Sequence, residues 1–185
     1  MKRIFLTLTL LFTTSILLNS FAQTPQVNNS NFENWENIGA DEEEPLEWNS
    51  FMTASGTWSS FAQKSLVRST SKRPGSTGTY SAKIWSKSIL GTIANGNLTT
   101  GQINMGSTTP SNSNNYNITR TATAAYHEVM TAVPDSLVVW VKTSISNVAH
   151  TPRIHATVHD NYDMRDPTAS GTESHIVAEA TLNYT

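Results

Sequence analysis

The sequence contains no cysteine. Disulfides, thiolate nucleophiles, zinc-finger frameworks and thioether attachment of a lipid are thereby excluded. Charge is scarce as well: 12 Lys and Arg stand against 14 Asp and Glu among 185 residues, a net charge of −2. No basic stretch with interleaved aromatics occurs, so there is no electrostatic case for nucleic acid as a partner. A glycine-rich phosphate loop is missing. So is a Gly-x-Ser-x-Gly elbow, which leaves a serine nucleophile without support. Beyond residue 22 no apolar run approaches the roughly 20 residues of a bilayer span, so the mature chain is expected to have no transmembrane segment. Internal repeats and long helical periods are also absent. What remains is rich in Ser, Thr and Asn, a composition usual in exported β-sandwiches and sugar-binding modules.

The first residues read as an export signal. Lys2 and Arg3 give a positive start, residues 4–18 are almost wholly apolar or Thr and Ser, and Ser20-Phe21-Ala22 offers small residues where a signal peptidase cuts. Residues 1–22 are therefore expected to be a signal peptide, with the mature protein in the periplasm, on the cell surface or secreted. Its removal leaves 163 residues with ten basic and 14 acidic side chains, enough for one domain with a core. An exported domain without disulfides must be held by that core, or by an oxygen-ligated ion such as calcium.

After a polar leader at residues 23–30, the pattern predicts an all-β domain over 31–185, a jelly-roll-like antiparallel β-sandwich. Its centre is expected in Asp135-Ser136-Leu137-Val138-Val139-Trp140-Val141-Lys142-Thr143-Ser144-Ile145. Leu137, Val139, Val141 and Ile145 share one side of a strand, and Val138 and Trp140 make the other side apolar at its start. Such a strand lies inside a sheet, covered on two faces. Further strands are expected at 31–35, 45–51 with Trp48 buried, 65–69, 80–88, 119–125, 153–160 and 172–182. Asn95-Gly96-Asn97 signals a hairpin turn. The acidic run Asp41-Glu42-Glu43-Glu44 reads as a solvated loop or a calcium-attracting one. The stretch 106–117 reads as low-complexity loop, and 126–133 as a helical turn or two. A sandwich of this kind usually needs more strands, so the chain is expected either to be truncated at its C-terminus or to have its sheet completed by another chain.

Four motifs fall in order: Asn31-Phe32-Glu33-x-Trp35, Pro45-x-x-Trp48-Asn49-Ser50-Phe51, Gly78-x-Tyr80-Ser81-Ala82-Lys83-Ile84, and Asp135-Ser136-Leu137-x-x-Trp140-Val141-Lys142. In this order, over residues 30–185, the chain resembles the carbohydrate metabolism domain family of exported bacterial proteins. It is also similar to the wider class of jelly-roll carbohydrate-binding modules. The resemblance implies a jelly roll, export, a role in glycan handling and further sequence after residue 185. In such modules an early Glu often helps hold a structural calcium, and Glu33 is the matching position. No catalytic residues come with the resemblance.

Two groups of side chains suit a polysaccharide or oligosaccharide. Trp85 stands among Lys83 and Lys87 on the polar side of its strand, where an indole can stack on a sugar's C–H face. Arg153, His155 and His159 alternate outward from residues 153–160, where they can hydrogen-bond hydroxyls. His155 and His159 lie about 13 Å apart along a strand at 3.3 Å per residue, so a zinc or copper ion would need one of them together with His175 from a hairpin partner. Glycoside hydrolysis needs two carboxylates about 5–10 Å apart across a cleft, and nothing in the sequence singles out such a pair. The expected function is non-catalytic glycan recognition. The alternatives are a structural or adhesion module that binds protein and, third, a glycan-active enzyme.

Overall fold

A computed structural model describes residues 27–132, 134, 136–145, 147 and 150–184. The expected signal peptide lies outside the described residues. The protein is mostly β: eleven short strands with four 3-10 turns of three residues each among the described residues. The strands are β1 Trp35–Glu36, β2 Glu44–Pro45, β3 Leu66–Ser69, β4 Ser81–Ile84, β5 Lys87–Ile89, β6 Thr92–Ala94, β7 Gln102–Met105, β8 Asn115–Ile118, β9 Arg153–His159, β10 Arg165–Asp166 and β11 Ile176–Asn183. They form small antiparallel sheets: β1–β2, β3–β4, β5–β6, the three-stranded β10–β8–β7, and the long hairpin β9–β11.

The core is small and half polar. Trp35, Leu66, Ile103, Ile118 and Met164 supply its apolar part, and Leu66 is 1% exposed; burying such a leucine contributes about 1.5–3 kcal/mol. Glu43, Glu44, Asn49, Ser50 and Ser65 are buried beside them. The acidic run is therefore not a solvated loop at its second half. Glu43 faces Lys64 Nζ at 3.3 Å and Arg68 Nε at 3.9 Å. Glu44 Oε1 accepts from the Ser50 N–H at 2.5 Å and from Thr53 Oγ1 at 3.1 Å. A carboxylate enters a core only with donors waiting for it, and Ser50 and Thr53 are those donors.

The hairpin turn of β5–β6 corrects an expectation. It falls at Leu90-Gly91, with φ of +50° and +80°, not at Asn95-Gly96-Asn97. A two-residue turn with both residues at positive φ matches the right-handed twist of the strands it joins. Gly56 is fixed by a close approach: a Cβ there would lie 2.7 Å from the Met105 carbonyl oxygen.

The strands at 65–69, 153–160 and 172–182 stand within a residue or a turn of where the pattern places them, although the last opens with the 3-10 turn Glu173–His175. Elsewhere the structure differs. Only Trp35–Glu36 of the first expected strand region pairs, because Phe32 adopts φ +56°. The 45–51 stretch turns at Glu47, φ +68°, then forms a single bridge from Asn49 to Thr99 and the turn Phe51–Thr53. Trp48 is half-buried, with its ring edge-on to Phe32 at 5.2 Å. The 80–88 stretch divides into β4 and β5, which pair with different partners. Residues 115–117, expected as loop, belong to β8. The 119–125 stretch is no strand: Asp163 Oδ1 takes both the N–H and the Oγ1–H of Thr121, and such local side-chain bonds compete with ladder formation.

The largest correction concerns the expected central strand. Asp135 lies outside the described residues, and residues 136–145 form no strand. Leu137, Val138, Val139, Trp140 and Val141 are 44–75% exposed. Period-two apolarity marks which sides of a strand could be buried, but a covering layer must be present to bury them, and this run stays exposed. Trp140 instead lies under the Arg73 guanidinium, 4.5 Å from the ring centroid.

Candidate functional site

The alternation in residues 153–159 decides what the β9–β11 hairpin presents. Thr181 stands opposite His155, Glu179 opposite Thr157 and Asn183 opposite Arg153. One face is therefore polar, and the other carries Ile154, Ala156, Val158, Ala178, Ala180 and Leu182. The polar face turns toward β10 and the segment after β8. Arg153 Nη2 contacts both Asp166 oxygens at 2.9 and 3.0 Å. His155 is held on every side: Nδ1 is 2.8 Å from Thr181 Oγ1, and Nε2 is 3.0 Å from Thr157 Oγ1 and 3.3 Å from Glu179 Oε1. His159 Nε2 is 3.1 Å from Thr119 Oγ1, and its Nδ1 is 2.8 Å from the Asp160 carbonyl oxygen.

Beside this face a cleft of about 340 Å³ opens, lined by Ile118, Tyr162, Asp163, Arg165, Ala169 and Thr172. Its geometry follows from β10 pairing with β8, which places Arg165 opposite Ile118. The Arg165 guanidinium stacks on Tyr116, 4.0 Å from the centroid. Tyr162 stacks on His175 at 3.9 Å and 6°, and His175 Nδ1 lies 2.9 and 3.0 Å from the two Asp160 oxygens. The Thr121 N–H, and then its hydroxyl, hold the Asp163 carboxyl below the usual aspartate range. Asp163 is thus a fixed anion beside a fixed cation, with an aromatic ring and a threonine hydroxyl at the same opening.

The sequence-predicted residues divide between two places. Arg153, His155 and His159 come together on the polar face of β9, as the alternation implied. Lys83, Trp85 and Lys87 do not join them. They lie on and between β4 and β5, in other sheets. There Trp85 is half-buried and Lys83 exposed, and the Trp85 N–H donates to the Ser65 carbonyl at 3.0 Å. The cleft residues Tyr162, Asp163, Arg165 and Thr172 were not singled out in the sequence. The available signal was an aromatic and three charges spaced through a short loop, a common setting for binding groups.

Glu33 is used by the backbone. Its Oε1 accepts from the Thr79 N–H at 2.8 Å and the Tyr80 N–H at 3.0 Å, and it rests on Gly78, where a Cβ would meet it at 2.5 Å. These two bonds tie the first segment to the start of β4. Among the described residues no group of three or more His, Asp or Glu side chains is placed to hold a metal ion, and the pairing of His155 or His159 with His175 is not made, since His175 faces Asp160. Among the described residues no helix is long and apolar enough to cross a membrane.

Comparison with known proteins gave no matching family model, no matching curated protein and no matching solved structure.

Proposed function

We propose that the protein is an exported, non-catalytic carbohydrate-binding module, a β-rich domain of jelly-roll-like descent that takes an oligosaccharide or polysaccharide at the Tyr162–Arg165 cleft. One observation carries this reading: the cleft presents an aromatic ring, a carboxylate, a guanidinium and a hydroxyl together. A sugar offers an apolar C–H face for Tyr162 and a rim of hydroxyls for Asp163, Arg165 and Thr172. Because the Thr121 and Tyr116 contacts hold Asp163 and Arg165 in place before a ligand arrives, little ordering cost is left to binding. Arg153 and His155 already bond protein partners and are not among the residues that line the cleft, so the sugar is assigned to Tyr162, Asp163, Arg165 and Thr172.

The test is a glycan array followed by calorimetric titration of any hit. Arg165→Ala is expected to weaken binding by about 10- to 100-fold, the worth of a charged hydrogen bond at about 1.5–3 kcal/mol. Tyr162→Ala is expected to weaken it by about 3- to 10-fold. An array with no glycan signal, or a hit indifferent to both substitutions, would refute the reading. A second reading, a structural or adhesion module meeting protein, is favoured by the exposed apolar residues 137–141. Capture of a protein ligand that Leu137→Asp abolishes and Tyr162→Ala spares would support it.

A further inference from the structure

We infer that two copies of this chain join through strand β11, antiparallel across a two-fold axis at Ala180. The inference stands independently of the glycan cleft. Strand β11 is the longest among the described residues, eight residues from Ile176 to Asn183. It pairs with β9 on one side, and among the described residues no strand lies on the other. Seven of its eight residues are exposed, with Val177 at 72% and Leu182 at 53%. It has no proline and no lysine, and Glu179 is its single charge. Natural sheets usually guard an open edge with such residues, or keep it short. A two-stranded ribbon is marginal by itself, and three or more strands with an apolar face are needed for independent stability.

Self-complementarity selects the occupant and the register. A two-fold axis requires an isologous contact, so the strand must match its own reverse. The faces agree only when residues of like face stand opposite each other. Centring on Glu179 would set two carboxylates face to face, which is destabilising. Centring on Thr181 shortens the overlap to residues 179–183. Centring on Ala180 overlaps residues 177–183 and places Glu179 opposite the partner's Thr181 and Ala178 opposite the partner's Leu182. The sheet then reads β9–β11–β11–β9 across the dimer, with the apolar residues of both hairpins on one face.

The absence of native cysteine makes the test direct. At the axis the two Ala180 Cα atoms would stand about 4.5–5.5 Å apart, within disulfide reach. Two Val177 residues would be about 20 Å apart at 3.4 Å per residue. Purified full chain carrying Ala180→Cys is expected to form a disulfide-linked dimer on mild oxidation at least on the order of tenfold faster than chain carrying Val177→Cys, although position 177 is itself 72% exposed. Sedimentation equilibrium of the unmodified chain is expected to show a reversible dimer, and Ala180→Lys a monomer. Equal rates for the two cysteine variants, or an unmodified chain that stays monomeric, would overturn the inference, whether the edge is then left open or covered by another segment.

Discussion

Glu44 permits the most exacting test of how the core is held. It is 1% exposed and has two donors on Oε1, and no cation lies within ion-pair distance of it among the described residues. Burial pushes its carboxyl above the ordinary glutamate value, against the opposing pull of the Ser50 and Thr53 hydrogen bonds. The folded state therefore holds the Glu44 proton more tightly than the unfolded state does. Its contribution to stability is greatest below the ordinary glutamate value of about 4.3 and falls as pH rises through the folded value. Glu44→Gln keeps an acceptor oxygen and removes the charge. It is expected to be at least as stable as the parent at pH 7, with an advantage that shrinks toward pH 4. Glu44→Ala also removes the charge but leaves the buried Ser50 N–H unpaired, at a cost of about 1–3 kcal/mol relative to Glu44→Gln. At about 2–4 °C per kcal/mol for a chain of this size, Glu44→Ala should melt about 2–12 °C below Glu44→Gln. Urea midpoints and calorimetry of the three proteins between pH 4 and 7 decide the matter. The reasoning fails if the two variants melt together, or if the difference between parent and Glu44→Gln is flat with pH.

Two more expectations follow from backbone geometry. Glu33→Ala should release the Thr79 and Tyr80 N–H groups and cost about 1–2 kcal/mol, seen as a lower urea midpoint; if excess calcium raises the melting point of the parent over EDTA by several degrees and that of Glu33→Ala by none, the side chain holds an ion as well. Leu90, 73% exposed at φ +50° before Gly91, should be improved by Leu90→Asn, which suits the left-handed position of this turn, by about 0.5–1 kcal/mol; a midpoint that falls would show that the leucine side chain has a packing role.

The β9–β11 hairpin was legible because its two strands repeat apolar and polar residues over seven and eight positions, long enough for a period of two to stand out. Their pairing was open in the sequence, and the structure makes it, with Ile176 to Asn183 antiparallel to Arg153 to His159. Residues 136–145 have the same pattern more strongly and form no strand. Periodicity reports which sides of a strand could be buried, but it does not supply the layer that buries them. The same limit explains the acidic run. Four consecutive carboxylates read alike in sequence, and what separates Glu44 from Asp41 is the return of Ser50 and Thr53 to within 2.5 and 3.1 Å, a consequence of the turn at Glu47. The Asn95-Gly96 signal lost to Leu90-Gly91 because Gly96 packs against the backbone of Trp85, where a Cβ would lie 2.6 Å from the carbonyl oxygen.

For the candidate site, alternation placed Arg153, His155 and His159 on one face but could not say what that face meets. The answer depends on β10, a strand of two residues that pairs with β8 across 47 positions of sequence separation from Ile118 to Arg165. Nothing local encodes such a pairing. Once made, it turns Asp166 onto Arg153 and spends the polar face on internal bonds. The same pairing lifts Tyr162, Asp163 and Arg165 to the rim of the cleft. Residues chosen for being polar on an outward face were thus taken up by the fold, and Tyr162, Asp163 and Arg165 at the cleft come from the chain that follows β9. An alternating strand advertises hydrogen-bonding capacity, and whether that capacity serves the fold or a ligand is settled by the next layer of chain. Here a two-residue strand makes that choice, so disrupting the β8–β10 pair should cost the cleft before it costs the hairpin.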